Sequence, residues 1–283
     1  MQKKIYFGDN INLLKKIRSN SVDLIYIDPP FNTKKRQSRK QIKISRSEDG
    51  DRVGFQGIRY SSRIVSNNGY SDNIEDYYSF LEIRLLEALR ILHPKGSIYF
   101  HIDYREVHYC KILLDQIFGR EAFINEIIWA YDYGGRSKKR WPAKHDNILW
   151  YAKDPKNFTF NYEEIDRIKY MAPGLVGAEK AKRGKLPTDT WWHTIVGTNS
   201  REKTGYPTQK PIGVIRRIIQ ASSNPGDLVF DFFAGSGTTG AVCLELGRQF
   251  ILVDNNPEAI KVMKTRFAGV DGIEWVNLPE KSG

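Results

Sequence analysis

The chain has 283 residues, of which 40% are hydrophobic and 12% aromatic, which is enough for one large α/β domain and excludes a disordered tail protein. Its 44 basic residues outnumber 33 acidic ones, and a net charge of +11 is typical of proteins that meet a polyanion. The two cysteines show no pairing or metal spacing, and no signal segment or membrane span is evident. We therefore expect a cytoplasmic protein with no metal and no membrane contact.

Strands and helices alternate along the chain, which predicts a mostly parallel sheet covered by helices on both faces. The predicted strands are Ile5–Phe7, Val22–Ile27, Ser97–Ile102, Ile124–Tyr131, Asn147–Ala152, Leu228–Phe232, Gln249–Val253 and Ile273–Val276. The predicted helices are Asn12–Ile17, Ile74–Ile91, Arg105–Phe118, Pro211–Ser222, a helix that leaves a glycine turn and ends near Leu246, and Pro257–Phe267. We expect a single domain over 1–283.

Two segments lack this periodicity. Residues 32–72 are polar and rich in Ser, Gly and basic side chains, and we interpret them as a long loop inserted after the second strand. Residues from about Asp154 to Tyr206 are also irregular. Loops of this length in compact domains are usually functional or disordered.

The sequence Asp28-Pro29-Pro30-Phe31 follows the second strand directly. Ligands of open α/β sheets bind beyond the carboxyl ends of the strands. A carboxylate and a backbone carbonyl there could hold the two N–H groups of an exocyclic base amine, and Phe31 could stack on a flipped base. Taken alone, the same tetrapeptide is also typical of a turn that ends a strand.

A second motif runs from Asp231 to Gly240 and combines a strand, a glycine turn and a helix start. Glycines let a backbone approach a ligand closely, and the helix N-terminus offers free N–H groups. Asp254 ends the next strand and could accept hydrogen bonds from a ribose diol. This pattern fits a dinucleotide cofactor such as NAD as well as S-adenosylmethionine.

Several motifs together resemble the DNA amino-methyltransferases. Tyr206–Pro211 and Ala221–Leu228, followed by the glycine motif, look like the C-terminal signature of that family, and Asp28–Phe31 looks like its catalytic motif. The catalytic motif precedes the cofactor motif, as in the beta class, whose sheet is circularly permuted. Further matches are Gly8-Asp9, Phe118-Gly119, Ile127–Trp129 and Asp254. One departure is Phe232, where proline is common.

The resemblance implies a Rossmann-like S-adenosylmethionine-dependent fold and a role for each matching residue. Asp28, Pro29, Pro30 and Phe31 would hold the target base, and Asp before Pro-Pro favours adenine N6 over cytosine N4. Asp254 would bind the ribose, Asp9 the adenine and Lys210 the methionine end of the cofactor. The remaining cofactor-binding residues implied are Thr208, Phe233, Ala234, Gly235, Ser236, Gly237, Thr238 and Thr239.

Two basic stretches are candidates for contact with double-stranded DNA. Seven basic residues follow the catalytic motif with no acidic residue between them, and we expect them to track phosphates, although a solvated basic loop would look the same. They are Lys34, Lys35, Arg36, Arg39, Lys40, Lys43 and Arg46. The second stretch interleaves Tyr133 and Trp141 with Arg136, Lys138, Lys139, Arg140 and Lys144. It opens region 131–205, the candidate target-recognition region, where we interpret Trp191, Trp192 and His193 as packing residues.

Other functions stay open at this point. An N4-cytosine methyltransferase would share the fold, an RNA or protein amide methyltransferase would carry Asn at position 28, and an NAD-dependent oxidoreductase would leave Asp28–Phe31 without a role. A DNA-binding protein that has lost catalysis is the alternative of another class. The partners that the resemblance implies are double-stranded DNA, a cognate restriction endonuclease in a restriction-modification system, and a second copy of the chain.

Overall fold

The structure is a computed structural model that describes residues 2–31, 35–46, 52–53, 59–72, 76–135 and 137–278. It divides into two compact units. Unit 1 comprises Met1–Phe31 and Glu75–Gly283, and unit 2 comprises Asn32–Ile74.

Unit 1 is built on a nine-stranded sheet, and unit 2 on a three-stranded one. In chain order the strands are β1 Lys3–Phe7, β2 Val22–Ile27, β3 Lys35–Arg46, β4 Arg52–Val53, β5 Arg59–Asp72, β6 Leu92–Asp103, β7 Phe123–Ala130, β8 His145–Ala152, β9 Thr190–Trp192, β10 Leu228–Asp231, β11 Gln249–Asp254 and β12 Glu274–Asn277. The large sheet has the order β12-β1-β11-β10-β2-β6-β8-β7-β9. All neighbours pair in parallel except β8, which is antiparallel to both β6 and β7.

Helices cover both faces of the large sheet. They are α1 Asn10–Leu14, α2 Tyr77–Ile91, α3 Val107–Phe118, α4 Ala178–Arg183, α5 Ile212–Ser222, α6 Thr238–Leu246 and α7 Pro257–Arg266. Leu24 and Tyr26 of β2 share a core cluster with α5, α6 and α7, while α2 contacts both α1 and α3. Because strand side chains alternate between faces, β2 is buried on both sides, as its continuous apolar run predicts.

The strand directions bring acidic residues to one edge of the sheet. Asp28 follows β2, and Asp231 and Asp254 end the parallel strands β10 and β11. Asp103 ends β6, and it pairs in register with Asp146 near the start of the antiparallel β8. The carboxyl edge therefore gathers side chains that lie more than 200 residues apart in the sequence.

The predicted mostly parallel α/β architecture is confirmed, with strand and helix bounds that differ from the predictions by a few residues. The prediction of a loop over 32–72 is wrong for its described part, because β3 and β5 form an antiparallel ladder from Lys35↔Asp72 to Arg46↔Tyr60. Such a ladder is stabilised by backbone hydrogen bonds. The sequence of these strands is polar and lacks the alternation of apolar and polar residues by which strands are predicted. The irregular stretch after Asp154 likewise contains β9 and α4.

Candidate active site

Asp28 and Lys210 form an ion pair at the end of β2. The ammonium group of Lys210 donates to Oδ2 of Asp28, and both side chains are largely buried. The other carboxylate oxygen, Oδ1, is buried and has no hydrogen-bond partner among the described residues. An unpaired buried acceptor is costly, so its presence here indicates a position where a ligand donates a hydrogen bond.

The proline pair is anchored from helix α2. The hydroxyl of Tyr77 donates to the carbonyl oxygen of Pro30 at 2.7 Å. The ring of Phe31 stays partly exposed, with the Lys210 ammonium 5.1 Å from its centroid. The structure thus brings Asp28 and Phe31 together as the sequence predicts, and it adds Lys210 to them.

The glycine turn between β10 and α6 holds its backbone close to other groups. Gly235 and Gly237 have φ angles of +50° and +73°, in the left-handed region that favours glycine. A Cβ on Gly237 would lie 2.8 Å from Cγ of Met263. Helix α6 begins directly after this turn, so its unpaired N–H groups point toward the carboxyl edge.

Asp254 binds this turn through its carboxylate. Oδ2 accepts from the Gly235 amide at 2.7 Å, and Oδ1 accepts from the Asn256 amide at 2.8 Å. Burial raises the pKa of Asp254 to about 6, although these amide hydrogen bonds oppose the shift. Each oxygen keeps a second lone pair for a ligand hydroxyl.

Asp231 accepts hydrogen bonds from residues of the glycine turn and of the start of α6, and it is only 2% exposed. Its carboxylate accepts from the Thr239 hydroxyl at 2.6 Å and from the Phe233 amide at 3.0 Å. Burial raises the pKa of Asp231 to about 7, and the nearby negative charges of Asp28 and Asp254 add to the shift. Three carboxyl groups therefore influence one another at this edge of the sheet.

Arg84 is a site residue that the sequence analysis missed. It is 5% exposed and donates to Asp9 at 2.8 Å and to the Asn10 side chain at 2.6 Å. Asn10 in turn donates to the carbonyl of Phe232 at 2.6 Å. A charged residue on the apolar face of a predicted helix was the signal that could have revealed it.

Other predicted cofactor residues lie around the same turn. Thr238 donates to the backbone carbonyl of Lys210 at 3.1 Å, and its hydroxyl is 3.1 Å from that of Ser236. Thr208 is partly buried in the segment that leads to Lys210, and Ala234 is buried. Lys210 reaches Asp28, so the predicted contact of Lys210 with the methionine end stays a prediction, as does that of Asp9 with the adenine.

The predicted DNA-contact residues are described only in part. Lys34 and Arg136 lie outside the described residues, while Lys138, Lys139 and Arg140 are exposed. The remaining six basic residues of the first stretch, Lys35, Arg36, Arg39, Lys40, Lys43 and Arg46, belong to β3. Arg140 lines a polar cavity of about 450 Å³ together with Asp103 and Asp146.

The two consecutive tryptophans in region 131–205 differ in burial. Trp191 is 7% exposed and packs in the core, as predicted, whereas Trp192 is 67% exposed, so its prediction as a packing residue is wrong. Trp191 and Trp192 are consecutive residues of β9, which pairs with β7, so their side chains point to opposite faces of the sheet. His193 accepts from the Trp129 indole through its carbonyl at 2.6 Å.

The sheet is mostly parallel, and its carboxyl edge carries a glycine turn, Asp254 at the end of the next strand, and Asp28. This combination is typical of α/β enzymes that bind a nucleotide cofactor. A family model described as DNA methylase matches residues 22–265. The chain therefore belongs to the N6/N4 DNA methylase family.

Individual relatives agree with this family. The type II methyltransferase M.HpaI of Haemophilus parainfluenzae is 32% identical over 97% of this chain and 78% of its own length. The DNA adenine methyltransferase YhdJ of Escherichia coli K12 is 32% identical over 92% of this chain and 81% of its own length.

Solved structures share the fold. The M1.HpyAVI–SAM complex matches with a TM-score of 0.59 and 21% identity over 93% of this chain and 98% of its own. The PvuII DNA methyltransferase, described as cytosine-N4-specific, matches with a TM-score of 0.65 and 16% identity over 99% of this chain and 96% of its own.

The described residues contain neither a cluster suited to a metal ion nor a helix suited to a membrane. No three or more His, Cys, Asp or Glu side chains in that part of the chain are placed to hold a metal ion. In the same part, no helix is both long and apolar enough to span a membrane.

Proposed function

We propose that this chain is a site-specific DNA adenine-N6 methyltransferase that uses S-adenosylmethionine and acts on a base flipped out of double-stranded DNA. The observation that carries this proposal is the unpaired, buried Oδ1 of Asp28 together with the partly exposed ring of Phe31, both in residues that the Lys210 ammonium contacts. Such a pair suits a planar base that carries an N–H donor. A role in a restriction-modification system, or as an orphan modification enzyme, belongs to the same proposal.

The glycine turn and Asp254 suit S-adenosylmethionine. Gly235 and Gly237 give the turn its left-handed backbone conformation, and Asp254 retains acceptor capacity for a ribose diol. The cofactor, when bound, supplies an electrophilic methyl group. Phe233, which is partly exposed at the turn, would line its pocket together with Thr239.

The chain's own contribution to the chemistry would come from Asp28. Oδ1 accepts a hydrogen of the target amine and so orients its nitrogen, while the Lys210 ion pair holds the carboxylate in place through Oδ2. Positive charge develops on that nitrogen during transfer, and a fixed carboxylate in a largely dry site stabilises it. Positioning of the base supplies much of the remaining rate enhancement.

The test is methyl transfer from labelled S-adenosylmethionine to mixed genomic DNA, followed by digestion and separation of the nucleosides. We expect label in N6-methyladenine, and label confined to N4-methylcytosine would overturn the base assignment. Asp28→Asn should reduce transfer to a few per cent or less, because the amide cannot supply the charge. Asp23→Asn, at the opposite end of β2, is the matched control and should remain active.

Separate observations favour adenine and cytosine as the target base. Adenine is favoured by the Asp before Pro-Pro and by YhdJ, whose name specifies adenine. Cytosine N4 is the second candidate, since the PvuII enzyme shares the fold. The nucleoside analysis separates the two directly, and absence of label in any DNA would favour a binding protein without catalysis.

A further inference from the structure

A fully buried histidine lies beneath the catalytic motif and has no part in the chemistry described above. His101 in β6 is 0% exposed, and its ring centroid lies 5.9 Å from that of Phe31 and 5.5 Å from that of Trp129. An imidazole inside an apolar strand needs hydrogen-bond partners on both nitrogens to avoid a large desolvation cost.

His101 has both partners. Its Nδ1 lies 2.9 Å from the Tyr26 hydroxyl, and its Nε2 lies 3.2 Å from Oδ2 of Asp146. The second oxygen of Asp146 accepts from the Tyr131 hydroxyl at 3.2 Å. This buried chain of groups spans strands β2, β6 and β8 at the carboxyl edge of the sheet.

The direction of each hydrogen bond follows from the surroundings. Burial, together with the charges of Asp28, Asp231 and Asp146, raises the pKa of Tyr26 well above its ordinary value, so the phenol keeps its proton and can donate it to Nδ1 of His101. Burial opposes ionisation of Asp146, but the interactions with His101, the charge of Lys210 and the hydrogen bond from Tyr131 together lower the pKa of Asp146. With the Tyr26 hydroxyl donating to Nδ1, the Nε2–H group of His101 donates to Asp146, and the two hydrogen bonds hold the ring in one orientation.

We infer that His101 is a positioning residue for the target base: held between Tyr26 and Asp146, its ring sets the position of Phe31. This role rests on the proposed function, in which Phe31 stacks on the flipped base. A fixed Phe31 aligns the base amine with Oδ1 of Asp28 before transfer, and a displacement of about 1 Å at a reacting group can cost up to about 100-fold in rate.

Two variants separate the parts of this arrangement. Tyr26→Phe removes one hydroxyl and keeps the aromatic ring, whereas His101→Gln keeps a donor for Asp146 and removes the ring against Phe31. His93→Gln is the matched control, since His93 lies on the same strand near its opposite end and is half exposed. Thermal unfolding of each variant shows whether it folds.

The experiment uses a duplex whose methylated sequence has been mapped with the wild-type enzyme, with 2-aminopurine in place of the target base for binding measurements. For both variants we expect kcat to fall about 10- to 100-fold, while the Kd of S-adenosylmethionine stays within about twofold. The fluorescence of the bound 2-aminopurine should increase, because a displaced Phe31 stacks on it less closely. The His93→Gln enzyme should match the wild type in all three.

Unchanged kcat and unchanged fluorescence in variants with a lowered unfolding temperature would show a purely structural histidine and overturn the inference. Nitrogen-15 spectra of the histidine side chains test the orientation without activity, and a proton on Nδ1 of His101 at pH 7.5 would also overturn it. A wild-type enzyme that methylates no DNA would refute the proposed function and this role with it. An active wild type with unaffected variants would refute only the role of His101.

Discussion

Replacing Asp231 by Asn should make the stability of the protein less sensitive to pH between about 4 and about 7. The carboxyl group is 2% exposed, and its pKa is about 7 in the fold against an ordinary value of 3.8. The folded state therefore holds a proton on Asp231 that the unfolded chain releases, and the wild type loses stability as pH rises from about 4 to about 7. At about 1.4 kcal/mol per pH unit, that gap corresponds to an upper limit of about 4 kcal/mol.

Asn at position 231 has no charge to bury, and its amide oxygen can still accept from the Phe233 amide while its NH₂ group faces the Thr239 hydroxyl. We expect the unfolding free energy of Asp231→Asn, relative to wild type, to rise between about pH 4 and about pH 7 and to level off above that range. Urea titrations at four pH values measure it, with Asp271→Asn as an exposed control. A difference between variant and wild type that is constant across this range would refute the buried-carboxyl argument.

Three further outcomes are expected. Asp254→Asn should weaken S-adenosylmethionine binding by about 1.5–3 kcal/mol in calorimetry. Because the pKa of Asp254 is about 6, wild-type affinity should also fall as pH drops through that value, and affinity independent of both changes would contradict ribose binding. Gly237→Ala should destabilise the fold by about 1–3 kcal/mol more than Gly247→Ala, because both glycines have φ near +70° but only the first would place its Cβ against Met263. Equal losses would exclude the steric explanation. Replacing the seven basic residues of the Lys34–Arg46 stretch by Gln should flatten the salt dependence of DNA binding, and an unaltered slope would leave that stretch without phosphate contacts.

Local patterns were sufficient for most of the large sheet. Val22–Ile27 is a continuous apolar run that stops at two prolines, and its predicted bounds agree with β2. Gly119 ends α3 with a φ of +90°, as expected of a glycine after a helix. The β3–β5 hairpin was missed because its stability lies in backbone pairing between polar strands, which leaves no apolar period to detect.

Contacts between distant residues required the folded chain. Nothing in the Tyr206–Pro211 motif indicated that Lys210 would pair with Asp28, 182 residues away. His101 is a polar residue within an apolar strand of the sequence. Its contact with Asp146, however, depends on the antiparallel register of β8 against β6.

The residue types proposed for the chemistry, and their positions at strand ends, follow from the sequence because hydrophobic periodicity and turn residues depend on only a few neighbouring positions. Which of those strand ends lie side by side follows from the strand order, and that order is set by burial of the whole sheet between its helices. The Asp28–Lys210 pair and the Tyr26–His101–Asp146 chain exist only because that packing brings their strands and loops to one edge.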